Sequence, residues 1–116
     1  MNNLKKLQKE LRVIVVDTEK EVENFKKDLD KNAGSALRWS YGLFDLVALS
    51  QEAQYVLEAI ARSKTLTIEK IADYLKNEVL SEAKFPSRST SPTHNLWEES
   101  VLSAKAKILD KVLGKL

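Results

Sequence analysis

The segment LRWSYGLFDLVALSQEAQYVLEAIA, residues 37–61, determines the architecture predicted for this chain. Its charges are Arg38, Asp45, Glu52 and Glu58, and apolar side chains fall on every side of its helical projection between residues 41 and 49. A helix that is apolar all round is usually a buried helix. The apolar residues form two stripes at helical spacing, the first made of Leu37, Tyr41, Phe44 and Ala48 and the second of Leu46, Leu49, Ala53, Val56 and Ile60. This central helix therefore needs apolar partners on two faces.

Other amphipathic segments are predicted to supply those partners. The first helix spans residues 3–31, because apolar side chains recur there at steps of three and four. Its stripe consists of Leu4, Leu11, Val15, Thr18, Val22, Phe25 and Leu29, and it is widened by Leu7 and Ile14. A third helix is expected to follow Thr67, which is a good N-cap residue, with a stripe that begins at Ile68.

The last helix is predicted to follow a polar loop. Residues 85–94 read FPSRSTSPTH and have little to bury, so we expect a mobile loop there. Ser91, Thr93 or Asn95 can cap the next helix, and Asn95 with Glu98 has the spacing of a capping box. The main stripe of that helix is Trp97, Val101, Ala104, Ile108 and Val112, and a second stripe is Leu102, Leu109, Leu113 and Leu116.

Length and composition favour one helical domain. A chain of 116 residues can bury one hydrophobic core but is short for two ordinary domains. Three glycines and two prolines are few for a β-sandwich, which needs many turns. The sequence therefore predicts an all-α fold over residues 1–116: a four-helix bundle with a long N-terminal helix and a buried central helix.

The chain contains no cysteine, which excludes disulfide bonds and thiolate metal sites and fits a reducing compartment. Residues 4–16 keep their charges interspersed as far as Arg12, unlike a signal peptide. Apolar runs are too short for a bilayer, which needs about 20 residues. We expect a soluble, cytoplasmic protein without a membrane partner.

Catalytic signatures are not apparent in the sequence. His94 is the single histidine and falls in the polar loop, where a solvated side chain is expected. Asp17 and Glu21 share a helix face but lack the Glu-x-x-His partners of a di-metal bundle. Asp45, among apolar neighbours, is expected to pair with Arg38 or to cap a helix. The sequence thus indicates a protein that is not an enzyme and has no metal site or cofactor.

The lysine pattern supports nucleic-acid binding. The net charge of +2 is small, so only local clusters of basic side chains could attract a nucleic acid. Such clusters can contact phosphates without reading sequence, although they can equally form a solvated surface. The candidate backbone contacts are Lys5, Lys9 and Arg12 on the first helix, Lys84 and Arg88 beside the loop, and Lys107, Lys111 and Lys115 on the last helix.

Surplus apolar stripes raise the alternative of a protein interface. In a four-helix bundle each helix needs one apolar face, so a helix with two stripes has one left over. Either the central helix uses both of its faces inside the monomer, or the surplus stripes bind a partner or a second copy. The candidate interface residues are Leu7, Ile14, Leu109, Leu113 and Leu116.

Residues 54–75, QYVLEAIARSKTLTIEKIADYL, resemble the first two helices of bacterial helix-turn-helix regulators. The matching features are an apolar helix, a short turn and a helix capped by Thr67. That resemblance implies sequence-specific DNA binding. The following residues 76–80, KNEVL, continue the helix without a glycine-containing turn, so the recognition helix of that family has no counterpart there.

The chain is also similar in size and composition to the helical small subunits of CRISPR effector complexes, which line a backbone-binding groove. The resemblance concerns form alone and implies a non-catalytic subunit of a nucleoprotein assembly. Two alternatives remain: a helix-turn-helix-like regulator, and an adaptor or inhibitor that binds protein only.

Overall fold

The structure, a computed structural model, describes residues 3–31, 36–84 and 92–116. These residues form four helices, α1 (Asn3–Lys31), α2 (Ala36–Arg62), α3 (Ile68–Lys84) and α4 (Pro92–Leu113). The predicted all-α four-helix bundle with its long N-terminal helix and buried central helix is confirmed. The bounds of α1 coincide with the predicted ones, because the three-and-four spacing of its apolar residues persists along its whole length.

Helix α2 lies between α1 and α4, and α3 packs against α4. Phe44 of α2 meets Trp97 of α4 edge to face, with ring centroids 5.8 Å apart. Both residues lie in the first halves of their helices, so α2 and α4 run in the same direction. Helix α1 runs antiparallel to α2, and the two helices pack closely at Gly42, where an added Cβ would lie 3.2 Å from Cζ of Phe25. The two faces of α2 are therefore occupied inside the monomer.

A single apolar cluster joins all four helices. Leu7 and Leu11 come from α1, Ala53, Val56 and Ile60 from α2, Ile68, Ile71, Ala72 and Leu75 from α3, and Ile108 and Val112 from α4. The fully buried large side chains are Leu7, Leu11, Leu75, Ile108 and Val112. The main stripe predicted for α4 is accordingly the one that enters the core, since Ala104, Ile108 and Val112 are all buried.

The starts of α3 and α4 differ in how well the sequence predicted them. The backbone N–H of Lys70 donates to Oγ1 of Thr67 over 3.2 Å, which confirms Thr67 as the N-cap of α3. Helix α4 begins at Pro92, so Asn95 lies within its first turn and the capping-box interpretation is wrong. Proline suits a first helical position because its missing N–H would have no partner there. The predicted loop thus loses residues 92–94 to α4, and residues 85–91 lie outside the described residues.

Among the described helices, none has an apolar stretch long enough to span a bilayer.

Candidate functional site

The two ends of the chain meet at one end of the bundle. Nδ2 of Asn3 donates a hydrogen bond of 2.9 Å to the backbone carbonyl of Lys115. The ammonium group of Lys115 lies 2.9 Å from Oε1 of Glu10. A shallow depression of about 510 Å³ is lined by Asn3, by Lys64 and Thr67 of the α2–α3 connection, and by Lys115 and Leu116. The start of α1, the α2–α3 connection and the end of α4 therefore form one surface.

We call this surface the basic end and define it as residues 3–12, 63–70 and 107–116. The acidic residues within it are Glu10, which pairs with Lys115, together with Glu69 and Asp110. Its exposed basic side chains outnumber them and are Lys5, Lys6, Lys9, Arg12, Lys64, Lys70, Lys107 and Lys111. The end thus carries a marked local excess of positive charge, although the whole chain has a net charge of only +2.

Distance keeps most of this charge from being neutralised by the acidic part of the chain. The molecule is 49 Å long, and α1 with its 29 residues spans roughly 43 Å of that length. On α1 the acidic stretch begins at Asp17, about 12 Å beyond Lys9 but only about 7.5 Å beyond Arg12 along the helix axis. Exposed charges separated by more than about 8 Å are largely screened at physiological ionic strength. The acidic stretch therefore offsets the charge of Arg12 in part and leaves that of Lys5 and Lys9 largely unaffected.

The candidate phosphate contacts divide into three groups. Five are exposed at the basic end, namely Lys5, Lys9, Arg12, Lys107 and Lys111. The prediction for Lys115 needs correction, because its ammonium is engaged by Glu10 and its side chain is only 22% exposed. The side chain of Lys84, at the end of α3, and the whole of Arg88 lie outside the described residues.

The candidate interface residues are mostly used by the monomer. Leu7 is 0% exposed, so it offers no surface to a partner, and its prediction as an interface residue is wrong. Ile14 and Leu109 are partly buried and pack against the core. Leu113 and Leu116 stay exposed, at 37% and 60%. The second stripe of α4 is thus left uncovered by the described residues only at its C-terminal end.

Exposed apolar side chains that the sequence analysis did not single out lie on α1 and α3. Val13 and Val16 sit one turn apart on the outer side of α1, and Leu80 is exposed on α3. Val13 and Val16 are exposed because α1 packs against α2 through a different stripe, and Leu80 is exposed because α3 packs against α4 through other residues.

A cleft opens between α2 and α3, because α3 approaches α4 more closely than it approaches α2. Its volume is about 440 Å³, and its apolar lining includes Val56, Leu66 and Leu75. Tyr55 of α2 and Tyr74 of α3 also line it, and both are more than half exposed. This cleft was not predicted from the sequence.

Glu52 is the buried carboxyl group in the lining of this cleft, which we call the α2–α3 cleft. It is 8% exposed, and burial raises its pKa, with Glu78 adding to the rise and nearby Lys105 opposing it. Lys105 is itself paired with Glu78 across 3.7 Å. The hydroxyl of Tyr74 donates to Glu78, which raises the pKa of Tyr74.

The carboxylates singled out from the sequence lie elsewhere. Asp45, Asp17 and Glu21 are exposed. A signal for Glu52 was available, because Ala48 and Val56, four residues away on either side, belong to the apolar stripes and are buried. Within the described part of the chain, no group of three or more His, Asp or Glu side chains is placed to hold a metal ion. The side chain of His94 lies outside the described residues.

The segment that resembles a helix-turn-helix does fold as two helices and a short connection. Helix α3 then continues without a break to Lys84. Its exposed side chains near the start include Glu69 and Asp73 as well as Lys70 and Lys76. Beyond residue 70, where the basic end stops, the charges of Asp73 and Lys76 balance, so this part of α3 carries no positive excess.

Comparisons of the chain with protein-family models, with curated proteins and with solved structures found no match.

Proposed function

We propose that this protein is a non-catalytic binding subunit of a larger nucleoprotein assembly, and that its basic end contacts the phosphate backbone of the nucleic acid. One observation carries the proposal: the fold brings the basic segments at the two ends of the chain and the α2–α3 connection to a single surface. Lysine clusters that are far apart in the sequence thereby lie at the same end of the bundle.

The chemistry of this surface suits phosphate better than base edges. Lysine and arginine side chains on helix exteriors neutralise phosphates and release counterions, which gives affinity without sequence preference. Lys5, Lys9 and Arg12 lie on one face of α1, with successive rises of roughly 6 and 4.5 Å along the helix. They can therefore contact one strand together. Exposed Lys107 and Lys111 add a second pair of positive charges on α4.

Assembly with protein neighbours is the second part of the proposal. Leu113 and Leu116 are exposed within the basic end, so a neighbour that covers them would also border the bound strand. Val13 and Val16 provide another exposed apolar pair on α1. An adaptor that binds protein only would use the same apolar residues and would not need the lysines. The nucleic-acid titration distinguishes this alternative from the proposed subunit.

The test is a titration of labelled single-stranded and duplex DNA and RNA with the full chain at low and at physiological salt. The expected result is binding that is independent of sequence and weakens steeply as salt rises. Absence of binding at low salt would overturn the nucleic-acid part and leave the adaptor. Binding restricted to one duplex sequence would instead favour the helix-turn-helix-like regulator.

Charge reversal locates the contact. The variant Lys107→Glu/Lys111→Glu changes the basic end, while Lys20→Glu/Lys27→Glu makes the same charge change at exposed positions of α1 outside it. For duplex DNA, we expect the slope of log Kobs against log[salt] to become less steep by about 2 in the first variant. Each phosphate contact contributes about 0.9 to the magnitude of that slope, and the variant loses two contacts. The control should keep the wild-type slope. An equal decrease of the slope in the two variants would show that binding depends on overall charge and not on the basic end.

A further inference from the structure

The α2–α3 cleft has the form of a small-molecule site. Its volume of about 440 Å³ falls within the usual range of ligand pockets, and most of its lining is apolar. Ligand pockets typically combine such walls with one or two polar groups that fix the orientation of the ligand. In this cleft, the most buried charged residue of the lining is Glu52, which is 8% exposed.

Glu52 lacks the partners that a buried carboxylate normally has. Within the described residues Glu52 has no hydrogen bond and no ion pair within 4.0 Å, and Lys105 is the nearby cation that favours its charged form. Buried charges are ordinarily paired, because an unpaired one loses its hydration without compensation. The free position beside Glu52 is therefore suited to a group that brings positive charge or a strong hydrogen-bond donor.

The two lysines that line the cleft are engaged by other groups. Lys105 is paired with Glu78, and the ammonium of Lys70 donates to the carbonyl of Thr65 over 3.4 Å. Lys70 is also exposed, so its charge is screened by solvent. Glu78 lies outside the lining, and its ion pair with Lys105 offsets the charge of that lysine. Glu52 is therefore the charged group of the lining that has neither an ion-pair partner nor full exposure to solvent.

We propose that the α2–α3 cleft binds a small organic cation with an apolar or aromatic body, whose ammonium group pairs with Glu52. The apolar body lies against Val56, Leu66 and Leu75. The rings of Tyr55 and Tyr74, exposed at 59% and 61%, offer faces to which a cation is attracted. This inference is independent of the proposed nucleic-acid binding, because it depends on the carboxyl group of Glu52 and on a ligand of opposite charge.

Three probes of similar size separate charge recognition from simple filling of the cleft: 2-phenylethylammonium, 2-phenylethanol and 3-phenylpropanoate. Binding to the ¹⁵N-labelled full chain is followed by NMR chemical-shift changes at constant pH, with the pH set where the ¹³C shift of the Glu52 carboxyl shows ionisation. We expect the cation to bind at least about tenfold more tightly than the other two probes. A hydrogen-bonded ion pair contributes more to the binding free energy than a neutral contact, by an amount that corresponds to this factor or more. Shift changes should centre on residues 52–59 and 70–75.

Glu52→Gln keeps the size of the side chain and removes its charge, so the preference for the cation should disappear. Glu58→Gln is the matched control, since Glu58 lies on the same helix but is exposed and pairs with Arg62 across 3.7 Å. Ala59→Phe, which places a ring in the cleft, should weaken all three probes. Equal affinities for the three probes, or unchanged cation binding by Glu52→Gln, would overturn the proposal. Circular dichroism confirms that each variant is folded.

Discussion

Replacing Leu7 by alanine distinguishes a core side chain from an interface side chain. Leu7 is 0% exposed and belongs to the cluster that joins α1 to Ile108 and Val112 of α4. The substitution removes buried methyl groups and leaves a cavity between helices that are held apart by their other contacts. Both effects lower the stability of the monomer itself.

The expected loss is about 3 kcal/mol, near the lower end of the range for fully buried leucines. With an unfolding entropy of about 2.1 cal/mol/K per residue, a domain of this length would melt roughly 12 °C lower. Leu116→Ala is the control, because Leu116 is 60% exposed. Its change in the free energy of unfolding should stay within about 0.5 kcal/mol.

Urea unfolding followed by circular dichroism measures both variants, at two protein concentrations that differ tenfold. Sedimentation reports the association state of each sample. Our reasoning predicts a lower urea midpoint for Leu7→Ala that does not depend on protein concentration. An unchanged midpoint, or a loss that appears only where an oligomer dissociates, would show that Leu7 contributes to an interface instead of the core.

Two further predictions concern Glu52 and Thr67. Because the folded-state pKa of Glu52 is raised above its ordinary value of 4.5, the wild-type chain keeps the full stability of the protonated group below pH 4.5 and loses it as the pH rises through the folded pKa. The free energy of unfolding of Glu52→Gln should therefore equal that of wild type at low pH and exceed it at pH 7. Urea titrations of both proteins at the two pH values measure this difference. The same difference in free energy at both pH values would contradict the raised pKa. Thr67→Ala removes the acceptor for the Lys70 amide and should cost about 1 kcal/mol, with faster hydrogen exchange confined to the first turn of α3. Unchanged exchange there would mean that the cap does not hold this turn.

The helices could be predicted because their signals are local. Apolar side chains three and four residues apart define α1 to within a residue, and Thr67 marks the start of α3. For α4 the sequence offered three possible caps, and the helix begins at Pro92, directly after the first of them. Sequence alone does not rank Ser91, Thr93 and Asn95, whereas tertiary packing selects one start.

The candidate sites were predicted less completely, because they depend on pairs of residues far apart in the chain. Lys115 is spaced like a phosphate ligand on α4, but its partner Glu10 comes from α1. Similarly, the surroundings of Glu52 include Lys105, which only the packing of α2 against α4 brings near. Leu7 lies at the margin of the stripe drawn from spacing, and the fold places it in the centre of the core.

The hydrogen bond between Asn3 and Lys115 joins residues 112 positions apart. Closing so long a loop is entropically costly, whereas the contact between α1 and α2 closes a short one. The basic end is accordingly assembled from segments that are far apart in the chain, and it exists only while α1 and the end of α4 are docked on each other. A chain in which these two segments have separated lacks the joined cationic surface, so a polyanion that binds this surface would stabilise the docked state.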